Sequence, residues 1–109
     1  MPPKFIVTVE VEPLDDADYD AWYREEHLDA LHKVPGYCRS QRYKLGPPVP
    51  KLTMGDPPRY IAVHEVDDVN KWFSGPEHAA VWSDWTKKQV GEAKAFVVRG
   101  WEKVKAVGF

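Results

Sequence analysis

Histidine is the side chain here with the widest reach in chemistry, because its unperturbed charge change falls near neutral pH. Two of the four histidines, His27 and His32, fall in residues 19–43, YDAWYREEHLDALHKVPGYCRSQRY. At roughly 100° per residue, Tyr19, Tyr23, His27, Ala30, Leu31 and Val34 share one helical stripe, bordered by Trp22 and Glu26. His32 lies on another face with Arg24, Glu25 and Leu28 and is expected in water. His27, one turn after Tyr23, combines a base active near neutral pH with a phenolic donor. That pairing suits proton abstraction beside a carbonyl, aldol-type ring closure, or protonation after decarboxylation. The competing reading is a core histidine hydrogen-bonded to backbone.

Other residues join these as candidates. His78 shares a helix face with Val81, Trp82, Trp85 and Gln89 and is a second acid/base candidate beside His27 and Tyr23. Trp22, Tyr43, His64, Trp82 and Trp85 are candidates for substrate contact, although buried tryptophans are commonly plain core. His64 sits on a strand whose alternation alone does not say which face looks into a cavity. Arg42 and Glu26 can anchor a polar group, with a structural role as the alternative. No metal is expected, since His27 and His32 are five apart on different faces and no His-Glu or Cys-Cys ligand spacing occurs. Nor does a glycine-rich phosphate loop or dinucleotide fingerprint occur, so no cofactor is implied. Cys38 has no activating neighbours and is expected as a small buried residue.

The elements that must hold these side chains follow from alternation and turn chemistry. Residues 4–12 alternate, with Phe5, Val7, Val9 and Val11 on one face and Ile6, Thr8, Glu10 and Glu12 on the other. Pro13 closes this strand, and Asp15, Asp16 or Asp18 can cap the helix after it. Pro35-Gly36 stops that helix. Tyr37–Lys44 alternates again, placing Tyr37, Arg39, Gln41 and Tyr43 opposite Cys38, Ser40 and Arg42. Residues 45–59, LGPPVPKLTMGDPPR, hold five prolines and two glycines, which no regular element survives. This segment is either a cover over a pocket entrance or a solvent loop. Tyr60–Val66 is a third strand, with Ile61, Val63 and Glu65 opposite Tyr60, Ala62, His64 and Val66. A short turn carries Trp72 and Phe73. Ser74-Gly75-Pro76-Glu77 then opens a second helix running past Gln89. Residues 94–104 form the last strand, with Phe96 and Val98 opposite Val97 and Trp101.

The order β-α-β, long loop, β-α-β predicts an α+β, ferredoxin-like split βαβ fold with a four-stranded antiparallel sheet, in one domain over residues 1–109. Two helices cover one face of such a sheet, yet the third and fourth strands are apolar on both. The open face therefore predicts a homodimer through the sheets. A net charge of −2 with interspersed signs leaves no stripe for nucleic acid and no polybasic membrane patch. No apolar run approaches a membrane span and MPPKFIVTVEVEP has no secretory layout. With a single cysteine, these features point to a reducing, cytoplasmic setting. Five Trp, five Tyr and four Phe in 109 residues imply an aromatic-lined pocket or a broad apolar interface.

At Trp22-Tyr23-Arg24-Glu25-Glu26-His27-Leu28, Val34-Pro35-Gly36-Tyr37 and Arg42-Tyr43 the chain resembles the dimeric α+β barrel superfamily, and within it the EthD-like group. Tyr60-Ile61-Ala62-Val63-His64-Glu65 and Ser74-Gly75-Pro76-Glu77 extend the resemblance over nearly the whole chain. It implies His27 as the helix histidine of that group. It also implies reactions like those of its polyketide cyclases, decarboxylases, lactone isomerases and cofactor-free oxygenases. The combined expectation is a homodimeric, cofactor-independent acid/base enzyme, a cyclase, decarboxylase or isomerase, acting on a small aromatic or polyketide-like carbonyl compound. A cofactor-free oxygenase and a non-catalytic small-molecule binder are the alternatives.

Overall fold

Residue alternation in the four strands becomes a single antiparallel sheet in the computed structural model, which describes residues 5–47, 57–73 and 76–105. The strands are β1 (Phe5–Glu12), β2 (Tyr37–Lys44), β3 (Tyr60–Val66) and β4 (Ala95–Glu102), in the order β2-β3-β1-β4. Val7 lies opposite both His64 and Gly100, and Val9 opposite both Ala62 and Val98. Because side chains alternate across the pleat, these residues share one face with Val11, Val66 and Phe96. Val7, Val9, Val11, Ala62 and Val66 are buried there. The register thereby settles the direction that alternation left open: His64 points to the helix side.

The first helix is not uniform. An α-helical segment α1 (Asp16–Trp22) leads into a π-helical turn (Tyr23–His27) and then into α2 (Leu28–His32). Asp15 caps the start by accepting from the Asp18 N–H at 3.1 Å. At the far end of the π turn the Leu28 N–H reaches back five residues to the Tyr23 carbonyl. In an unbroken α-helix, residues five apart are separated by about 140° around the axis. The wider turn instead lets the rings of Trp22 and His27 stack, with centroids 4.1 Å apart and planes at 21°. After α2 the chain stops as expected: Gly36 takes φ of +88°, and a Cβ there would meet Asp67 Oδ1 at 2.3 Å.

Two sequence expectations change in this frame. The second helix is divided into α4 (Pro76–Ala79) and α5 (Asp84–Glu92), following a short α3 (Val69–Phe73). The break arises because Ser83 starts a new helix, its Oγ accepting from the Thr86 N–H at 3.1 Å. His78 and Trp85 therefore do not ride one continuous face. In β2 the register slips between Tyr37 and Arg39. That bulge adds one residue to the strand and reverses the face before it, so Tyr37 joins Ser40 and Arg42 on the helix side. Cys38, at the bulge on an edge strand, is exposed rather than buried.

Close approach of α3 to the sheet needs Gly100, where a Cβ would lie 2.9 Å from Val69 Cγ1. Side-chain bonds then tie the helices together: the Trp22 indole N–H donates to Thr86 Oγ1 at 3.1 Å, and Asp18 accepts from Trp85, Lys88 and Gln89. Most of the proline-rich segment, residues 48–56, lies outside the described residues, and so does its expected role as a cover. Its base is pinned, with the Leu45 N–H donating to the Arg59 carbonyl at 2.6 Å and the Arg59 guanidinium gripping Glu12 and Asp16. No described helix is long and apolar enough to cross a membrane.

Candidate functional site

A cavity of about 180 Å³ lies between the sheet and the helices. Its floor is Val7 and Val9 of β1, Phe96 and Val98 of β4, and His64 of β3. Trp22, His27 and Leu31 come from the first helix, and Trp72, His78, Val81, Trp82, Thr86 and Val90 from the second half of the chain. Among the described residues no Lys, Arg, Asp or Glu lines it. No described group of three or more His, Cys, Asp or Glu side chains is placed to hold a metal ion.

Three histidines meet at this cavity, each in a different state of partnership. His27 is packed between the Trp22 face and the edge of Tyr23, whose ring centroid is 5.0 Å away. Its Nδ1 is buried with no hydrogen-bond partner among the described residues. Burial first, and then the neighbouring His64, His78 and Arg42, push its pKa down to about 3. His64 is 1% exposed, with Nδ1 2.6 Å from Ser40 Oγ and Nε2 buried without a described partner. Burial alone lowers it to about 4. His78, half-buried on α4, is also lowered by burial. His27 and His64 are therefore neutral at pH 7, each with one nitrogen able to donate and one to accept. This differs from a base poised near neutrality: burial in an apolar cavity penalises the imidazolium, so neutral hydrogen-bonding or concerted proton transfer is the chemistry it favours.

The remaining candidates separate by position. Trp22 and Trp82 line the cavity with His27, His64 and His78. Tyr23 does not; it lies behind His27, fully buried, with the Arg42 guanidinium 4.2 Å over its ring. Its hydroxyl has no partner among the described residues, and burial raises its pKa well above the usual phenol value. The π turn accounts for this exchange, since it sets Trp22 instead of Tyr23 beside His27 at the cavity. Tyr43 stands on the outer face of the sheet, half-exposed, and donates to Gln41 Oε1 at 2.5 Å. Trp85 turns toward the first helix, its indole N–H donating to Asp18 at 3.3 Å. Arg42 and Glu26 are engaged structurally, with Asp20 at 3.1 Å and with the Ser83 hydroxyl at 2.7 Å.

Sequence reasoning passed over two contributors. The sequence places Trp72 only on a short turn, yet it is buried at the cavity, with ring centroids 5.4 Å from His64 and 5.9 Å from Tyr37. Ser40 carried no signal beyond its parity on β2. Its importance comes from lying directly opposite His64 across the β2–β3 ladder.

The sequence matches no protein-family model and no curated protein. Solved structures do share the fold. An ethyl tert-butyl ether d (EthD) family protein from Bacillus halodurans has a TM-score of 0.66 at 17% identity, covering 92% of this chain and 97% of the other. A dabb family protein with a ferredoxin-like fold from Mesorhizobium loti has a TM-score of 0.63 at 16% identity, covering 93% and 97%. The heme-degrader MhuD of Mycobacterium tuberculosis, with two hemes bound in its active site, has a TM-score of 0.57 at 19% identity, covering 95% and 99%. The ferredoxin-like α+β fold expected from the order of elements is the fold of this chain.

Proposed function

We propose that the protein is a cofactor-independent acid/base enzyme whose substrate is a small, uncharged aromatic or polyketide-like carbonyl compound. The observation that carries this reading is an apolar cavity lined by three uncharged imidazoles and by no described charged side chain. A cavity near 150 Å³ accommodates a single benzene ring, so about 180 Å³ suits one ring with small substituents. An imidazole N–H donated to a carbonyl stabilises the enolate that forms when a second imidazole removes the neighbouring proton. Cyclisation and isomerisation suit this wall better than decarboxylation, because a carboxylate would be buried without a counter-ion. The strong depression of His27 favours, as a second reading, a protein that binds such a molecule without turning it over. Haem is disfavoured by these residues, because its carboxylates would face no described cation.

The test compares two ligands of one shape. Titration calorimetry should show 2-hydroxyacetophenone binding at least about tenfold more tightly than salicylate, reflecting the cost of burying an unpaired carboxylate. Salicylate binding as well as or better than the ketone would defeat this reading.

We also infer a homodimer through the uncovered sheet face. Ile6, Ile61, Val63 and Val97 are half-buried there beside Trp101, which is 49% exposed, and Tyr43, 50% exposed. Such a patch on a small sheet is the usual mark of a protein partner. The full chain should sediment as a dimer at micromolar concentration and Ile61→Lys as a monomer. A wild-type monomer would remove the inference.

A further inference from the structure

His64 does not end a hydrogen-bond chain; it begins one. Ser40 Oγ lies 2.6 Å from its Nδ1, and the Tyr37 hydroxyl lies 2.5 Å from Ser40 Oγ. Tyr37 is half-buried near the edge of the sheet, its ring 4.8 Å from that of the exposed His32. At the other end His64 Nε2 is buried, has no partner among the described residues, and belongs to a ring that lines the cavity. Three residues thus connect the cavity to the outer layer of the molecule. In a regular strand Tyr37 and Ser40, three apart, would point to opposite faces. The bulge between Tyr37 and Arg39 brings them to the same face.

We propose that Tyr37, Ser40 and His64 form a proton relay, through which His64 exchanges a proton with a ligand in the cavity while remaining uncharged. This deepens the acid/base reading given above and rests on it for the identity of the proton donor. Every hydroxyl in the chain can donate or accept, so two settings are available. In one, Tyr37 donates to Ser40, Ser40 donates to Nδ1, and His64 carries its proton on Nε2. In the other the directions reverse, Nδ1 carries the proton and Nε2 accepts.

Passage between the settings moves one proton. A ligand O–H or C–H proton bonds to Nε2 as the Nδ1–H bond breaks. That second proton passes to Ser40 Oγ, the Ser40 proton to the Tyr37 oxygen, and the Tyr37 proton to water. The ligand keeps the electron pair as an enolate, and the imidazole ends neutral. Burial that opposes a standing imidazolium at His64 does not oppose this route, because no net charge settles on the ring. His64 is the catalytic residue in this scheme, and Ser40 and Tyr37 are positioning residues.

The test needs no substrate, which separates it from the test of the function. In the ligand-free full chain labelled with 15N-histidine, long-range 1H–15N spectra at pH 7 should show both His64 nitrogens at intermediate shifts. That pattern marks two neutral tautomers in exchange. Tyr37→Phe keeps the ring packing and leaves Ser40 no described acceptor except His64 Nδ1. It should therefore collapse His64 to the Nε2–H tautomer, with the Nδ1–H form lost. A wild-type His64 locked in one tautomer overturns the relay whatever the variant does. So does averaging that persists unchanged in Tyr37→Phe, because the hydroxyls would then not set the proton. Failure of the ketone to bind, with tautomer averaging intact, would count against the function alone.

Discussion

Acidification from pH 7 to pH 5 is expected to remove about 3–4 kcal/mol of folding stability, the sum of roughly 2 kcal/mol from each of two buried histidines. His27 and His64 have pKa values lowered from 6.5 to about 3 and about 4. The unfolded chain thus takes up protons below 6.5 while the native state refuses them. The stability they contribute is full above the unfolded value and falls as the pH drops toward the native values. Glu12, Asp16, Asp18 and Asp20 are also lowered, chiefly by hydrogen bonds from Arg59, Lys88 and Arg24. Their stabilisation is lost only as the pH falls below the ordinary carboxylate values, so the range between 7 and 5 reports on the histidines. Against a typical total of about 5–15 kcal/mol, the loss should be plain in urea unfolding at fixed protein concentration. A flat profile over that range would mean that the two rings are not buried and neutral.

His27→Phe should separate chemistry from packing in one variant. The phenyl ring can keep the stack on Trp22, while the change removes an Nδ1 that has no described partner. Stability at pH 7 should hold within about 1 kcal/mol, since deleting an unsatisfied polar atom offsets small losses in fit. The acid slope should shrink by somewhat less than half, because one of the two most strongly lowered imidazoles is gone while His64 and the more weakly lowered His78 remain. Turnover of a neutral ketone substrate should fall by about 10²–10⁴-fold if His27 moves a proton in the reaction. His32→Ala is the control, since that ring is exposed, with Nδ1 donating to the Leu28 carbonyl at 2.6 Å. Full turnover in His27→Phe would end its catalytic role. Tight ketone binding with no turnover in the wild type would favour the binding-protein reading.

Much of this protein was legible as sequence because its strands obey a period of two and its helices a period near 3.6. Alternation at residues 5–12 and 60–66, the Pro35-Gly36 stop and the order of elements determine a ferredoxin-like sheet with helices on one face. The same arithmetic put His27 on the buried stripe and His32 in water, as the structure has them. Each local departure from periodicity escaped it. The π turn exchanges Tyr23 for Trp22 at the cavity, and nothing in YREEH announces five-residue hydrogen bonds. The β2 bulge turns Cys38 out and Tyr37 in, because one added residue reverses a pleat that parity assumes unbroken. Ser83 divides a helix whose apolar spacing reads as continuous, since a capping hydroxyl and an exposed serine look alike in sequence. The direction of His64 and its pairing with Ser40 needed the register of β2, β3 and β1. Register is a property of three strands packed together, set by which faces bury, and no one segment contains it.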